Sequence, residues 1–210
     1  MTGQVSASGL EYPREDPDAD ILVALAQGTQ NEKSQALATL MNRHLGSIKS
    51  LAWHMMGDEM TAEDIAQETF LKAWNQAERW EPGRAKFSTW LHRVAKNACL
   101  DRLRKKREIY SDTVPELKDE SLNAAQIMMS EETEQTQKEY VTMALQKLPE
   151  RQLAAITLCH YENKSQNEAA DILEIGVRAY ESLLARARRN LRDELSAYKT
   201  ELIGQMGETL

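Results

Sequence analysis

The sequence predicts an all-α protein with two helical halves joined by an acidic linker. Three observations carry this. Apolar residues recur at three- and four-residue steps along most of the chain. No stretch shows a sustained two-residue alternation. Charge is segregated: Arg84 to Arg107 holds nine Lys or Arg against one acid, Asp101 (about +8), whereas Glu108 to Glu139 holds nine acids against two lysines (about −7). The whole chain of 210 residues carries a formal net charge of −7, so a compact basic segment inside it calls for an explanation.

Residues 1–20 are polar, contain Pro13 and Pro17, and are expected to form a disordered tail without a secretory signal. From Ala36 to Met56, the residues Leu37, Leu40, Met41, Ile48, Leu51, Ala52 and Met55 follow a helical period. Thr61-Ala62-Glu63-Asp64 matches a capping box that would open the next helix. Its expected core face is Ile65, Ala66, Thr69, Phe70, Ala73 and Trp74. "RWEPGRAKFS" contains Pro82 and Gly83 and is expected to be a loop. The basic helix follows, with Phe87, Trp90, Leu91, Val94, Ala95 and Ala98 directed inward and Arg93, Lys96, Asn97 and Arg104 opposite.

The acidic segment, with Pro115, reads as a linker carrying one helical stretch near 122–135. Helical patterning returns at Tyr140. Pro149 suits a first helical turn, Ser165 and Glu168 form a capping box, and "EIG" is a tight turn ending in Gly176. A long basic helix closes the pattern, with Arg178, Arg186, Arg188, Arg189 and Arg192 against Glu181. Helix, short turn, helix is the geometry that lays a second helix in the DNA major groove.

The chemistry that these residues suit is binding. Arginine pairs with phosphates and guanine edges, and asparagine offers a base edge both donor and acceptor. A basic helix next to an aromatic-containing loop suits single-stranded or melting DNA, but core packing is the favoured reading of Phe87 and Trp90 themselves, because their helical spacing already explains them. Asp64, Gln67, Glu68 and Leu71 form a stripe at i, i+3, i+4 and i+7. By composition it is either a solvated face or a dock for a basic partner. No Gly-rich phosphate loop, HExxH or CxxC pair is present, and Cys159-His160 diverge on a helix, so no enzyme and no cofactor is expected. His44, His54 and His92 are scattered and read as ordinary surface or helix residues rather than metal ligands. Two distant cysteines and no long apolar run fit a reduced cytoplasmic protein without membrane insertion.

"AEDIAQETFLKAWNQAERWEPGRAKFSTWLHRVAKNACLDRLRKK" resembles region 2 of the extracytoplasmic-function sigma factors of bacterial RNA polymerase. "LPERQLAAITLCHYENKSQNEAADILEIGVRAYESLLARARRNL" resembles their region 4. The resemblance spans roughly residues 20–195. It implies region 2 over 21–107, a linker over 108–136, region 4 over 137–195 and a C-terminal extension over 196–210. It implies that Asp64, Gln67, Glu68 and Leu71 bind the coiled coil of the polymerase β′ subunit. Arg84, Lys86, Arg93, Lys96, Asn97, Arg102 and Arg104 would bind the −10 element. Arg178, Glu181, Ser182, Arg186 and Arg188 would bind the −35 element, with region 4 touching the β flap. It also implies promoter DNA, core polymerase and an anti-sigma factor as partners. Two departures stand out. Arg93-Val94 occupies the place of the paired tryptophans of housekeeping sigma factors, and Glu181-Ser182-Leu183 replaces a basic-Ser-Arg run. The competing reading is a free-standing helix-turn-helix regulator that uses only the C-terminal half.

Overall fold

The computed structural model describes residues 16–77, 85–112 and 140–207, and every regular element among them is helical. The N-terminal half contains α1 (Ala19–Gln27), α2 (Gln30–Met56), α3 (Glu59–Gln76) and α4 (Phe87–Asp112). The C-terminal half contains α5 (helical at 140–146), α6 (Glu150–Ile156), a π-helical turn at Thr157–Tyr161, α7 (Gln166–Leu173) and α8 (Val177–Gly207). Among the described residues no helix is long and apolar enough to cross a membrane.

Local chemistry sets the helix ends. Thr29 opens α2 with a complete capping box: its hydroxyl accepts from Glu32 N, and Glu32 Oε2 accepts from Thr29 N at 2.7 Å. Gly57 ends α2 at φ 72°, the left-handed conformation that glycine adopts without a Cβ penalty. The expected capping box at Thr61 is not the start of α3. Asp58 is the N-cap, because its extended backbone lets Oδ2 accept from Thr61 N at 2.7 Å, which places Thr61 inside the first turn. The Ser165–Glu168 box does open α7, with both reciprocal bonds made.

The N-terminal boundary also differs from expectation. Residues 1–15 lie outside the described set, but Asp16 to Asp20 belong to the fold. Asp18 is buried and bonds Arg43 Nη1 at 2.8 Å and His44 Nε2 at 2.7 Å. Asp16 Oδ2 accepts from Phe87 N at 2.7 Å, so a side chain remote in sequence satisfies a donor at the start of α4. At the other end of this helix, residues 108–112 continue it rather than begin the linker. The remainder of the expected linker, 113–136, with its helix near 122–135, lies outside the described residues, as do 79–84 of the expected loop.

Leu40, Ile48, Leu51, Met55, Ile65, Phe70, Phe87 and Leu91 are buried in the N-terminal half. Leu153, Ile156, Leu158, Ile172, Leu173, Tyr180 and Leu184 are buried in the C-terminal half. The α3 face expected to be buried is buried, with Trp74 at its half-exposed margin. Phe87 is core, and Trp90 stacks on it with ring centroids 5.8 Å apart, which decides their packing role. The two halves share one continuous apolar cluster. The C-terminal half seats α7 and α6 on α4 and the π turn on α2.

Candidate nucleic-acid interface

The stripe on α3 is presented outward. Asp64 and Gln67 are exposed, and Leu71 is 56% exposed, an unusual position for a large apolar side chain. Glu68 is half-buried because it bonds two cations: Lys72 Nζ at 2.8 Å and Arg102 Nη2 at 3.2 Å. Those bonds hold its carboxyl below its ordinary pKa despite some burial. Glu68 therefore links the α3 stripe to the basic helix α4.

The candidates on α4 and just before it fall into two sets. Asn97 and Arg104 are exposed, and Arg104 pairs with Asp101 at 3.1 Å. Lys86, Arg93 and Lys96 instead meet the C-terminal half. Lys86 Nζ lies 3.6 Å from Glu168, Arg93 Nε donates to Asp171 O at 2.8 Å, and Lys96 Nζ lies 3.4 Å from Glu174. Lys96 is only 4% exposed. The face expected to oppose the core is thus partly covered, because α7 lies across it. Arg84 lies outside the described residues.

Beside these contacts sits a buried polar node that the sequence did not suggest. His92, expected to be an ordinary surface or helix residue, is 1% exposed. Its Nδ1 faces Ser88 O at 2.7 Å, and its Nε2 lies 3.0 Å from Ser47 Oγ and 3.6 Å from Glu162 Oε2. Ser47 Oγ in turn donates to Glu162. Burial opposes the Glu162 charge, but bonds from His92 and Ser47 outweigh it, so the carboxyl stays below its ordinary pKa. The π turn ends at Glu162 and is what delivers it; single π turns often mark functional positions in a helix. Next to the node, the His54 ring sits on Tyr161 with centroids 3.6 Å apart, and Gln146 Nε2 bonds the carbonyls of His54 and Met55 at 3.3 Å. His44 is the Asp18 partner already described. None of the three histidines is a plain surface residue.

The helix-turn-helix is α7 and α8. Glu174, rather than Gly176, takes the left-handed conformation in the turn, at φ 57°. Arg178, Glu181, Ser182, Arg186 and Arg188 are all exposed on α8. Ser182 Oγ bonds Arg178 O at 3.0 Å and Arg186 Nε bonds Ser182 O at 3.3 Å, so this face is ordered along the helix. Tyr180 points the other way, fully buried, and its hydroxyl donates to Ala155 O at 3.2 Å. Cys99 is buried, and its thiol is pushed up to about 12 by that burial, which leaves it uncharged and unreactive at neutral pH.

The match to known proteins follows this division. Residues 40–109 match the Sigma-70 region 2 family and residues 138–191 match Sigma-70, region 4. The chain is 32% identical over 171 residues to the ECF RNA polymerase sigma factor SigW of Bacillus subtilis, covering 76% of this chain and 89% of that protein. It is 31% identical over 166 residues to the ECF RNA polymerase sigma factor SigE of Mycolicibacterium smegmatis, covering 77% of this chain but only 62% of SigE. Among solved structures, CnrH in complex with the cytosolic domain of CnrY is 27% identical, with a TM-score of 0.61 over 87% of this chain and 99% of that one. An outward stripe on α3, a basic α4 and an arginine-rich second helix of a helix-turn-helix thus sit inside two matching domain families in the right order, and the chain belongs to the extracytoplasmic-function sigma factors of the sigma-70 family.

Proposed function

We propose that this chain is a transcription initiation factor, rather than a catalyst, that binds core RNA polymerase and directs it to promoters with −10 and −35 elements. The observation that carries the reading is the joint exposure of two surfaces: Asp64, Gln67 and Leu71 on α3, and Arg178, Arg186 and Arg188 on α8. The α3 stripe offers carboxylates around an apolar anchor, which suits a basic helical partner such as the β′ coiled coil. The α8 face offers arginines at the start and middle of a helix, which suits major-groove contact at the −35 element. On α4, Asn97 would read an extruded −10 base while Arg93, Lys96, Arg102 and Arg104, with Lys86 just before the helix, hold backbone. Region 4 would also touch the β flap. Control by an anti-sigma factor is part of the proposal, supported by the likeness to CnrH, whose solved structure contains the cytosolic domain of CnrY.

One observation favours the competing reading of a free-standing regulator: the arginine face of α8 at Arg178, Arg186 and Arg188 is exposed while part of the α4 face is covered. Binding to core polymerase separates the two. The full chain is expected to bind purified core enzyme, and a variant carrying Asp64→Lys and Glu68→Lys is expected to lose that binding while staying folded. A folded wild-type chain with no affinity for core enzyme establishes the free-standing regulator instead.

A further inference from the structure

We infer that Asp16 is a positioning residue for −10 recognition: its carboxylate fixes where α4 begins, and with it the register in which α4 meets DNA. The inference rests on the reading of α4 as the −10 helix. Asp16 lies ahead of the region 2 match, which begins at residue 40, and 71 residues before the donor it bonds on α4. A segment outside that match thus becomes part of the promoter-reading unit.

Both carboxylate oxygens of Asp16 are used. Oδ2 accepts at 2.7 Å from the N–H of Phe87, the first residue of α4, and Oδ1 accepts from Asp18 N at 3.1 Å. A helix start leaves such donors without intrahelical partners and is electropositive, so a carboxylate suits it. Asparagine would serve less well, because it has one acceptor oxygen and its amide group would face the other N–H. A cap from the preceding residue travels with its own helix. A cap from Asp16 instead ties α4 to another part of the fold, and that part is anchored. Asp18 is buried against Arg43 at 2.8 Å and His44 at 2.7 Å, Arg43 Nη1 also donates to Pro17 O at 3.2 Å, and Leu22 and Leu25 of α1 are buried in the core. The His44 ring that bonds Asp18 also meets Phe87 edge-on, with centroids 5.8 Å apart, a second contact at the same end of α4. A rigid helix carries a displacement of its start along its length. Arg93 and Asn97 stand about 9 and 15 Å along the axis from Phe87, so the pose of both follows from this fixed point. Charge makes the role separable: a carboxylate near DNA-binding cations repels phosphate, so on charge grounds alone its removal tightens DNA binding. Positioning predicts instead that sequence preference is lost.

The test uses the full chain, alone and with core RNA polymerase, and a pool of single-stranded DNA 20-mers randomised at six central positions. Asp16→Ala removes both bonds, and Asp16→Asn keeps one. Asp20→Ala, at an exposed position of α1, is a control with the same change in charge. Amide hydrogen exchange at Phe87 reads the cap without DNA or polymerase, and it is expected to be about fivefold faster in Asp16→Ala than in the control. Sequencing of the bound DNA is expected to show preferences flattened about tenfold in Asp16→Ala, less in Asp16→Asn and not at all in Asp20→Ala, with no fall in total DNA bound. Preferences in Asp16→Ala that match the control overturn the inference. Equal losses of DNA binding, core-polymerase binding and melting temperature also overturn it, because they assign Asp16 to stability alone. If Asp16→Ala does not fold, Asp16→Asn decides on the same criteria. A wild-type chain with no preference in either format overturns the inference as well. A wild-type chain that does not bind core polymerase sinks the sigma-factor reading instead, and the pool bound by the chain alone then judges Asp16.

Discussion

Lys96 on α4 meets Glu174 beyond α7 at 3.4 Å, but the two ends of this pair live in different solvents: the lysine side chain is 5% exposed and the glutamate 58%. The pair is therefore asymmetric. Burial lowers the Lys96 pKa, and the Glu174 charge only partly opposes that. Replacing Lys96 with Met keeps the length of the side chain, removes the desolvation cost and leaves Glu174 hydrated. Thermal stability is expected to hold or rise by about 1 kcal/mol, while affinity for −10 DNA falls. Melting curves and DNA titration of Lys96→Met, run side by side, check both halves. A large loss of stability would mean that the ammonium stabilises the contact between α4 and α7 outright.

The Glu162 carboxyl has a depressed pKa in the folded chain, below the ordinary 4.5. A depressed acid contributes stability that is complete above its unfolded value and lost as pH falls through its folded value. The contacts of Glu162 with Ser47 and His92 are thus expected to be intact above about pH 4.5 and to weaken below it. His92 and Ser47 face this group directly, and His54 with Tyr161 flank it, so the informative quantity is the difference between wild type and Glu162→Gln. Stability measured from pH 7 to pH 3 should show an acid-side loss in wild type that Glu162→Gln lacks. Parallel curves would show that other carboxylates carry the acid sensitivity.

Much of the fold was legible because helices announce themselves locally. The apolar periods of α2, α3 and α4 and the Ser165–Glu168 box required no knowledge of distant residues. What was missed depends on partners far away in sequence. Asp18 looked like part of a polar tail, yet it is buried against Arg43 and His44. Ser47, His92 and Glu162 lie in three separate segments, and no spacing rule brings them together. The exposed faces of α3 and α8 were legible as stripes. The covering of Lys96 was not, because amphipathic periodicity tells which side faces away from a helix's own bundle and says nothing of a second bundle docking there. The start of α3 was misplaced for a narrower reason: Asp58 and Thr61 are both good cap residues, and only backbone geometry decides between them.

Tyr180 is fully enclosed, with its hydroxyl bonded to Ala155 O across the helix-turn-helix. Burial, then the neighbouring Cys159, pushes its pKa up to about 12. Tyr180→Phe is expected to cost about 1 kcal/mol, since it leaves a carbonyl without its donor but preserves the packing. Tyr180→Ala is expected to cost about 3–5 kcal/mol through the cavity it opens. Chemical denaturation of the two variants checks the ratio. Similar losses for both would assign the role of Tyr180 to the hydrogen bond rather than to the ring.

Asn97 is the exposed amide on the α4 face, adjacent in sequence to the covered Lys96. An amide that makes two bonds to a base edge discriminates by about 1–3 kcal/mol. Asn97→Ala is expected to lose that much preference among −10 variants while general affinity changes little. Competition binding of polymerase holoenzyme to a panel of −10 sequences measures it. An unchanged ranking across the panel would remove Asn97 from base reading.

The two ends of the exposed α8 face should respond differently to truncation. Arg178 is the second residue of α8, where a recognition helix brings side chains to base edges; Arg186 lies two turns further on, where the helix passes the backbone. Arg178→Ala is expected to relax preference at one or two −35 positions by about 1–3 kcal/mol. Arg186→Ala is expected to weaken all −35 sequences alike and to reduce the slope of log affinity against log salt by about 1. Glu181 lies between them and accepts rather than donates, so Glu181→Gln should raise affinity for any duplex by relieving phosphate repulsion unless Glu181 bonds a cytosine amine. In that case preference for the matching base pair falls in the same titration. Salt-dependent binding of the three variants to a −35 duplex panel therefore sorts the α8 face into base-reading and backbone-holding residues, and equal effects from Arg178→Ala and Arg186→Ala would mean that the helix grips DNA without entering the groove at its N-terminus.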